Sequence, residues 1–140
     1  MQSPRRNLRT LRRRDPRRGA AVVEFAVCLP VMVLLIFASL EGANMLFVRQ
    51  ATVQAAYEAV KSAARSNGST ATATTIGQDV LAARNITLDS LTFNPPSVNG
   101  AAAGTPIVCT VRVQGDSRSI IGFGPFRGLV IEAQATMIKE

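Results

Sequence analysis

The sequence has no histidine and no tryptophan, one tyrosine, and only two cysteines in 140 residues. Without histidine there is no imidazole for a nucleophilic triad, for acid–base work near neutral pH, or for the commonest kind of metal ligation. Cys28 sits in an apolar run and Cys109 in a distant strand-like segment, so a bridge would have to join two unlike environments. Thiols spaced this way make no metal site, and both read as small buried hydrophobes. No P-loop and no dinucleotide-type glycine pattern follows a strand. The stretch "GFGPFRG" has glycines but neither a lysine nor a following helix. Serines and acids are scattered. The residues offer no catalytic constellation, so no enzyme, no cofactor, no metal and no small-molecule substrate is expected.

Net charge is missing from most of the chain. The formal charge is +7, and residues 1–18 supply all of it, with eight arginines against Asp15. Beyond residue 18, eight basic and eight acidic side chains cancel. The high pI therefore describes a tail, not a basic fold. The tail could contact phosphates, but it has no aromatic on which bases could stack, so nucleic acid is not expected as a partner. It has few apolar residues to bury. Placed directly before an apolar run, it reads as a topology signal. Arg12, Arg13, Arg14, Arg17 and Arg18 would hold that end at the cytoplasmic face, against anionic lipid.

What the chain does have is one long hydrophobic run. Phe25 to Leu40 gives sixteen residues without charge, or ~24 Å of helix, which is short of a ~30 Å hydrocarbon core. Starting at Ala20 gives twenty-one residues and ~31 Å. The span therefore works best with Glu24 inside it. A carboxylate at mid-membrane costs about 2.5–3.5 kcal/mol. Glu24 is only ~6 Å in from Ala20 and can reach toward the headgroups, which lowers that cost. Two readings follow: a tolerated snorkelling acid, or an acid that needs a positive partner supplied by processing or by a neighbouring subunit. Pro30 removes one helical hydrogen bond and marks a helix kink. The charge asymmetry places the N-terminus in the cytoplasm and the C-terminus outside. A cleaved secretory signal is the alternative, and the twin arginines invite it. Against it, Leu40, Glu41 and Asn44 interrupt any small-x-small site, and helical patterning continues past residue 41.

Residues 43–66 place Leu46, Val53, Tyr57, Val60 and Ala64 on one helical stripe, with Arg49, Gln50, Glu58, Lys61 and Arg65 on the other side. Alanine is abundant and no proline intervenes, so this segment continues the apolar helix until Asn67-Gly68 stops it. "SNGSTATATT" reads as a linker, after which Thr75 and Gln78 form a capping box for a short helix through Arg84, with Asn85 at its end. Then the period becomes two. Strands are expected at 86–93, where alternation breaks at Asp89-Ser90, at 107–113 and at 130–138. The predicted fold is α+β: a long N-terminal helix, transmembrane and then amphipathic, packed on a small, mainly antiparallel three-stranded sheet with one short extra helix. Its parts would be a basic cytoplasmic leader at 1–19, a transmembrane helix at 20–42 and an extracytoplasmic α+β domain at 43–140. Between the last two strands, Ile120, Ile121, Phe123 and Phe126 either pack on the domain or form an apolar patch for a partner or the membrane surface.

The stretch from Arg17 to Arg65, opening on "RRGAAVVEFAV", resembles the TadE-like family, the pseudopilins of the bacterial tight-adherence (Tad/Flp) pilus system. The basic-Gly-x-x-x-x-Glu-Phe pattern before a long apolar helix carries the resemblance. The resemblance implies a leader removed by a membrane prepilin peptidase after Gly19, exposing a new amine on Ala20 and making Glu24 the fifth mature residue. It implies that Glu24 pairs with the Ala20 amine of a neighbouring subunit. It also implies lipid, other pilin-like subunits and Tad assembly proteins as partners, and a role as a minor pseudopilin or membrane-anchored assembly component in pilus biogenesis, adhesion or secretion. The location implied is the bacterial cytoplasmic membrane, or a pilus. The rival reading is a signal-anchored external binding module with no pilus role.

Overall fold

The computed structural model describes residues 16–115 and 128–140. The elements in chain order are α1 (Pro16–Ala64), α2 (Thr70–Ala82), β1 (Leu88–Asn94), β2 (Pro106–Gln114) and β3 (Val130–Ile138). This is the expected α+β fold, with a long N-terminal helix, one short helix and a three-stranded antiparallel sheet. Contacts divide the chain into two units, with the boundary between Ile36 and Phe37.

In the second unit the sheet is a meander of order β1-β2-β3. β2 shows the clean alternation expected of a strand with one buried face, and Ile107, Cys109, Val111 and Val113 are all fully buried. In β3 the inward positions Ile131 and Ala133 are buried, opposite Val113 and Val111. β1 keeps its apolar residues on this face only by adding one residue. Leu88 pairs with Val113 and Ser90 with Arg112, so Asp89 is the extra residue of a bulge. The bulge lets Leu88, Leu91 and Phe93 share a face although the first two are three apart, which accounts for the broken alternation. On the outer face Arg112 and Glu132 sit directly across the strands, with Nε donating to Oε2 at 2.8 Å. Both side chains are substantially exposed, so the pair contributes under about 1 kcal/mol.

The helix that covers the sheet does so with a different stripe from the one expected. Val48, Ala51, Thr52, Ala55, Ala56, Ala59, Val60 and Ala63 are buried, whereas Leu46, Val53 and Tyr57 are exposed. Only Val60 and Ala64 of the predicted stripe face the core. Small side chains let backbones approach closely, and close approach gives dense dispersion contact. Thr52 is tolerated there because its Oγ1 donates to the Val48 carbonyl at 2.8 Å. The same device acts from α2: a Cβ on Gly77 would come 3.3 Å from Ala59 Cβ and 2.6 Å from Leu91 Cδ1. A glycine lets α2 sit against the alanine face and β1 together.

α2 begins earlier than expected, at Thr70 in place of the residues after Thr75. Its cap is Ser69, whose Oγ accepts from the Thr72 backbone N–H at 3.1 Å. Thr74 and Thr75 lie inside the helix and donate their hydroxyls to the carbonyls of Thr70 and Ala71. The end falls where Asn85 marks it. Asn85 has φ 54°, and the Ile86 and Asn85 amides donate to the Leu81 and Ala82 carbonyls at 3.0 and 2.9 Å. This is a Schellman closure, with Leu81 and Ile86 both buried.

The last two residues of the chain secure the end of α1. Lys139 is buried, and its ammonium donates to the carbonyls of Ala63 and Arg65. The Glu140 backbone N–H donates to the Ala64 carbonyl at 2.8 Å. Carbonyls at a helix C-terminus have no intrahelical donor and carry the negative end of the helix dipole, so a cation is well placed there. Lys139→Met should lower unfolding stability by about 1.5–3 kcal/mol, the worth of charge-assisted hydrogen bonds. Denaturant unfolding of the full chain in detergent measures this, and an unchanged midpoint would contradict the clamp.

Candidate membrane span and processing segment

The first unit contains the helix from Pro16 to Ile36. Proline suits the first helical position, where its missing N–H would have no partner anyway. Arg17 and Arg18 follow it in the first turn. Arg12, Arg13 and Arg14 lie outside the described residues, as do Ile120, Ile121, Phe123 and Phe126.

Gly19, Ala20, Glu24 and Pro30 all fall on α1, and every residue from Gly19 to Leu40 is exposed. Val22, Phe25, Val27, Leu34 and Leu35 are each more than half exposed. Apolar side chains all round a helix require an apolar surrounding. Among the described residues α1 is the one helix long and apolar enough to cross a membrane.

Gly19 lies within the helix, and beyond its own turn of helix nothing approaches within 4 Å of the Cβ it lacks. Glycine has poor helix propensity, so this turn is the easiest part of the run to pull into an extended form. Ala20 and Glu24 are four residues apart, which is one turn or ~6 Å of rise, on the same helix face. No described residue forms an ion pair or hydrogen bond with Glu24. A chain starting at Ala20 would bring an ammonium and the positive end of the helix dipole within one turn of that carboxylate. α1 runs on through Pro30, whose missing N–H leaves the Ala26 carbonyl without its usual donor. The segment can therefore place one carboxylate and one exposed glycine–alanine bond at the edge of an apolar run.

The two cysteines have opposite settings. Cys28 is exposed on α1, and Cys109 is buried in the sheet. Burial pushes the Cys109 thiol from 9.0 up to about 12, because desolvation disfavours the thiolate. In the folded protein at pH 8, Cys109 should react with maleimide at least a hundredfold more slowly than in denaturant. The linkage follows. The unfolded thiol ionises near 9 while the folded one holds its proton to about 12, so this group's contribution is complete below pH ~9 and falls as pH rises toward 12. Cys109→Ala should flatten that alkaline loss in an unfolding titration. Equal labelling in both states would contradict the buried placement.

Sequence reasoning missed the Lys139 clamp, since a lysine next to the C-terminus gives no signal of burial. It also missed that the large apolar residues Leu46, Val53 and Tyr57 point outward. No curated protein and no solved structure matches the chain. Residues 19–61 match the family model described as TadE-like protein, so the resemblance read from "RRGAAVVEFAV" onward is borne out over α1, with α2 and the sheet outside the match.

Proposed function

We propose that this protein is a single-pass component of a bacterial Tad-type pilus or secretion system, acting as a minor pseudopilin or membrane-anchored assembly factor in pilus biogenesis or adhesion. The arginine-rich end lies in the cytoplasm, the apolar helix crosses the cytoplasmic membrane, and the α+β domain lies outside. The observation that supports this most is the bare apolar helix with Gly19, Ala20 and Glu24 at its edge, inside the segment that matches the TadE-like family.

In this reading a prepilin peptidase cuts after Gly19, and lipid, pilin-like subunits and Tad assembly proteins are the partners. The freed Ala20 amine of one subunit meets Glu24 of its neighbour. An unpaired carboxylate in hydrocarbon costs about 2.5–3.5 kcal/mol at the centre and less near the edge. Pairing offsets that cost only at one stagger of the two helices, so it sets register. The protein carries no reaction and no cofactor in this role. Its work is anchoring and assembly.

Mass spectrometry of the protein from its native membrane should find Ala20 as the first residue. An intact Met1, or an end elsewhere, would remove the processing step. Glu24→Ala should stay in the membrane yet lose at least ten-fold in co-purification with pilin-like subunits. Normal co-purification would contradict the pairing role of Glu24.

A further inference from the structure

β3 has a bare edge. It pairs with β2, and no other strand flanks it among the described residues. The ladder shows which groups this leaves. At its two ends the Gly115 N–H donates to the Leu129 carbonyl at 2.7 Å, and the Lys139 N–H to the Thr105 carbonyl at 2.9 Å. Alternate residues of an antiparallel strand bond to the same neighbour, so the odd-numbered residues from Leu129 to Lys139 face β2. Val130, Glu132, Gln134, Thr136 and Ile138 turn their N–H and C=O groups the other way, and all five are exposed.

Edges of this length are normally blunted by lysine, proline or a bulge. β1, the opposite edge, has its bulge at Asp89 and lies against α2. From Val130 to Ile138 there is no lysine and no proline, and the register with β2 is unbroken. The one charged side chain, Glu132, is already bonded to Arg112. Val130 is 53% exposed and Ile138 66%, so a large apolar side chain stands in the open at each end of the edge.

The strand itself names the occupant. "VIEAQATMI" has the same chemical order from either end. About Gln134, Ala133 answers Ala135, Glu132 answers Thr136, Ile131 answers Met137 and Val130 answers Ile138. We propose that β3 pairs antiparallel with β3 of a second copy, across a two-fold axis at Gln134, so that the two three-stranded sheets become one. Each outward N–H and C=O then has a partner. Val130 and Ile138 cover each other, and Glu132 meets Thr136, so no like charges face. The contact is self-complementary, as an isologous pair requires. A shift of two residues, the smallest that keeps side chains on their faces, sets Val130 against Thr136 or Glu132 against Ile138. On the inner face the second copy's Met137 comes alongside Ile131, at a groove that Met45, Leu46 and Arg49 line with Leu129 and Ile131. A flexible thioether chain suits such a gap.

The pairing also fixes a direction. α1 runs alongside β3 in the same sense, since Lys139 meets Ala63 at one end and Leu129 shares a groove with Met45 at the other. The two-fold axis turns the α1 segments of the second units end for end. On the single-pass reading above, such copies meet from two facing membranes.

The test uses the full chain with Cys28→Ser, oxidised with copper–phenanthroline in detergent. Gln134→Cys should give a disulfide-linked dimer, since its equivalents lie about 5.5 Å apart at the axis. Glu132→Cys and Thr136→Cys face each other, so mixed they should link at least ten-fold faster than either alone. Thr136→Pro removes an N–H that β2 does not use. Added to Gln134→Cys it should abolish the dimer while Cys109 stays protected from alkylation. Monomer throughout, equal rates for single and mixed variants, or a dimer that survives Thr136→Pro would each overturn the proposal. Glu132→Cys and Thr136→Cys placed in separate vesicles of phosphatidylethanolamine and phosphatidylglycerol should link on mixing. Links that form only when both share one vesicle would overturn the facing arrangement. Strand dimers in a protein that never associates with pilin-like subunits would uphold this inference and sink the proposed function. Pilin association with no strand dimer would do the reverse.

Discussion

A helix whose side chains are apolar all round has to be covered by something other than its own chain. From Gly19 to Leu40 no residue of α1 is buried, and on that stretch the role of every other part depends. Exposed to water, the run would be an aggregation site. In hydrocarbon it is at rest, apart from one carboxylate. Glu24 thus becomes the informative residue. In the proposed assembly, its position one turn beyond the Gly19–Ala20 bond is where a newly made amine would answer it, and that spacing would link processing, register and assembly in a single electrostatic requirement.

Past Leu40 the same helix answers a different demand. It closes a sheet that would be unstable alone, and it does so with alanines, which add little apolar area each but allow tight packing. Overfilling such a face, for example at Ala55 or Ala59, costs about 1–3 kcal/mol. Gly77 and the alanine face fit α2 in the same way. Lys139 and Glu140 then tie the far end of the helix to the end of β3. The first unit is therefore held by its surroundings and the second by its own core.

How far the fold is legible in the sequence follows from what each signal depends on. β2 and β3 are readable because alternation over seven or more residues rarely arises except in a strand with one buried face. The β1 bulge is visible as a defect at Asp89-Ser90. The start of α2 is hidden because threonines have low helix propensity and look like linker. Their hydroxyls are satisfied by carbonyls one turn back, and Ser69 supplies the cap. The buried stripe of α1 is hidden because hydrophobicity ranks Leu46, Val53 and Tyr57 above alanine, whereas close packing ranks them below. The Gly19–Glu24 spacing is plain from sequence because a charge inside an apolar run is rare enough to stand out. The clamp beside the sheet is not legible, since only the fold brings Lys139 to Ala63.

The most direct measurement of the central claim is an intersubunit distance. Assemblies mixed from one pool labelled with ¹⁵N at Ala20 and another with ¹³C at the Glu24 carboxyl can be studied by dipolar-recoupling solid-state NMR. The pairing predicts an ammonium nitrogen within about 4 Å of a neighbour's carboxyl, the span of an ion pair. An absence of coupling in assembled, membrane-embedded protein would contradict it.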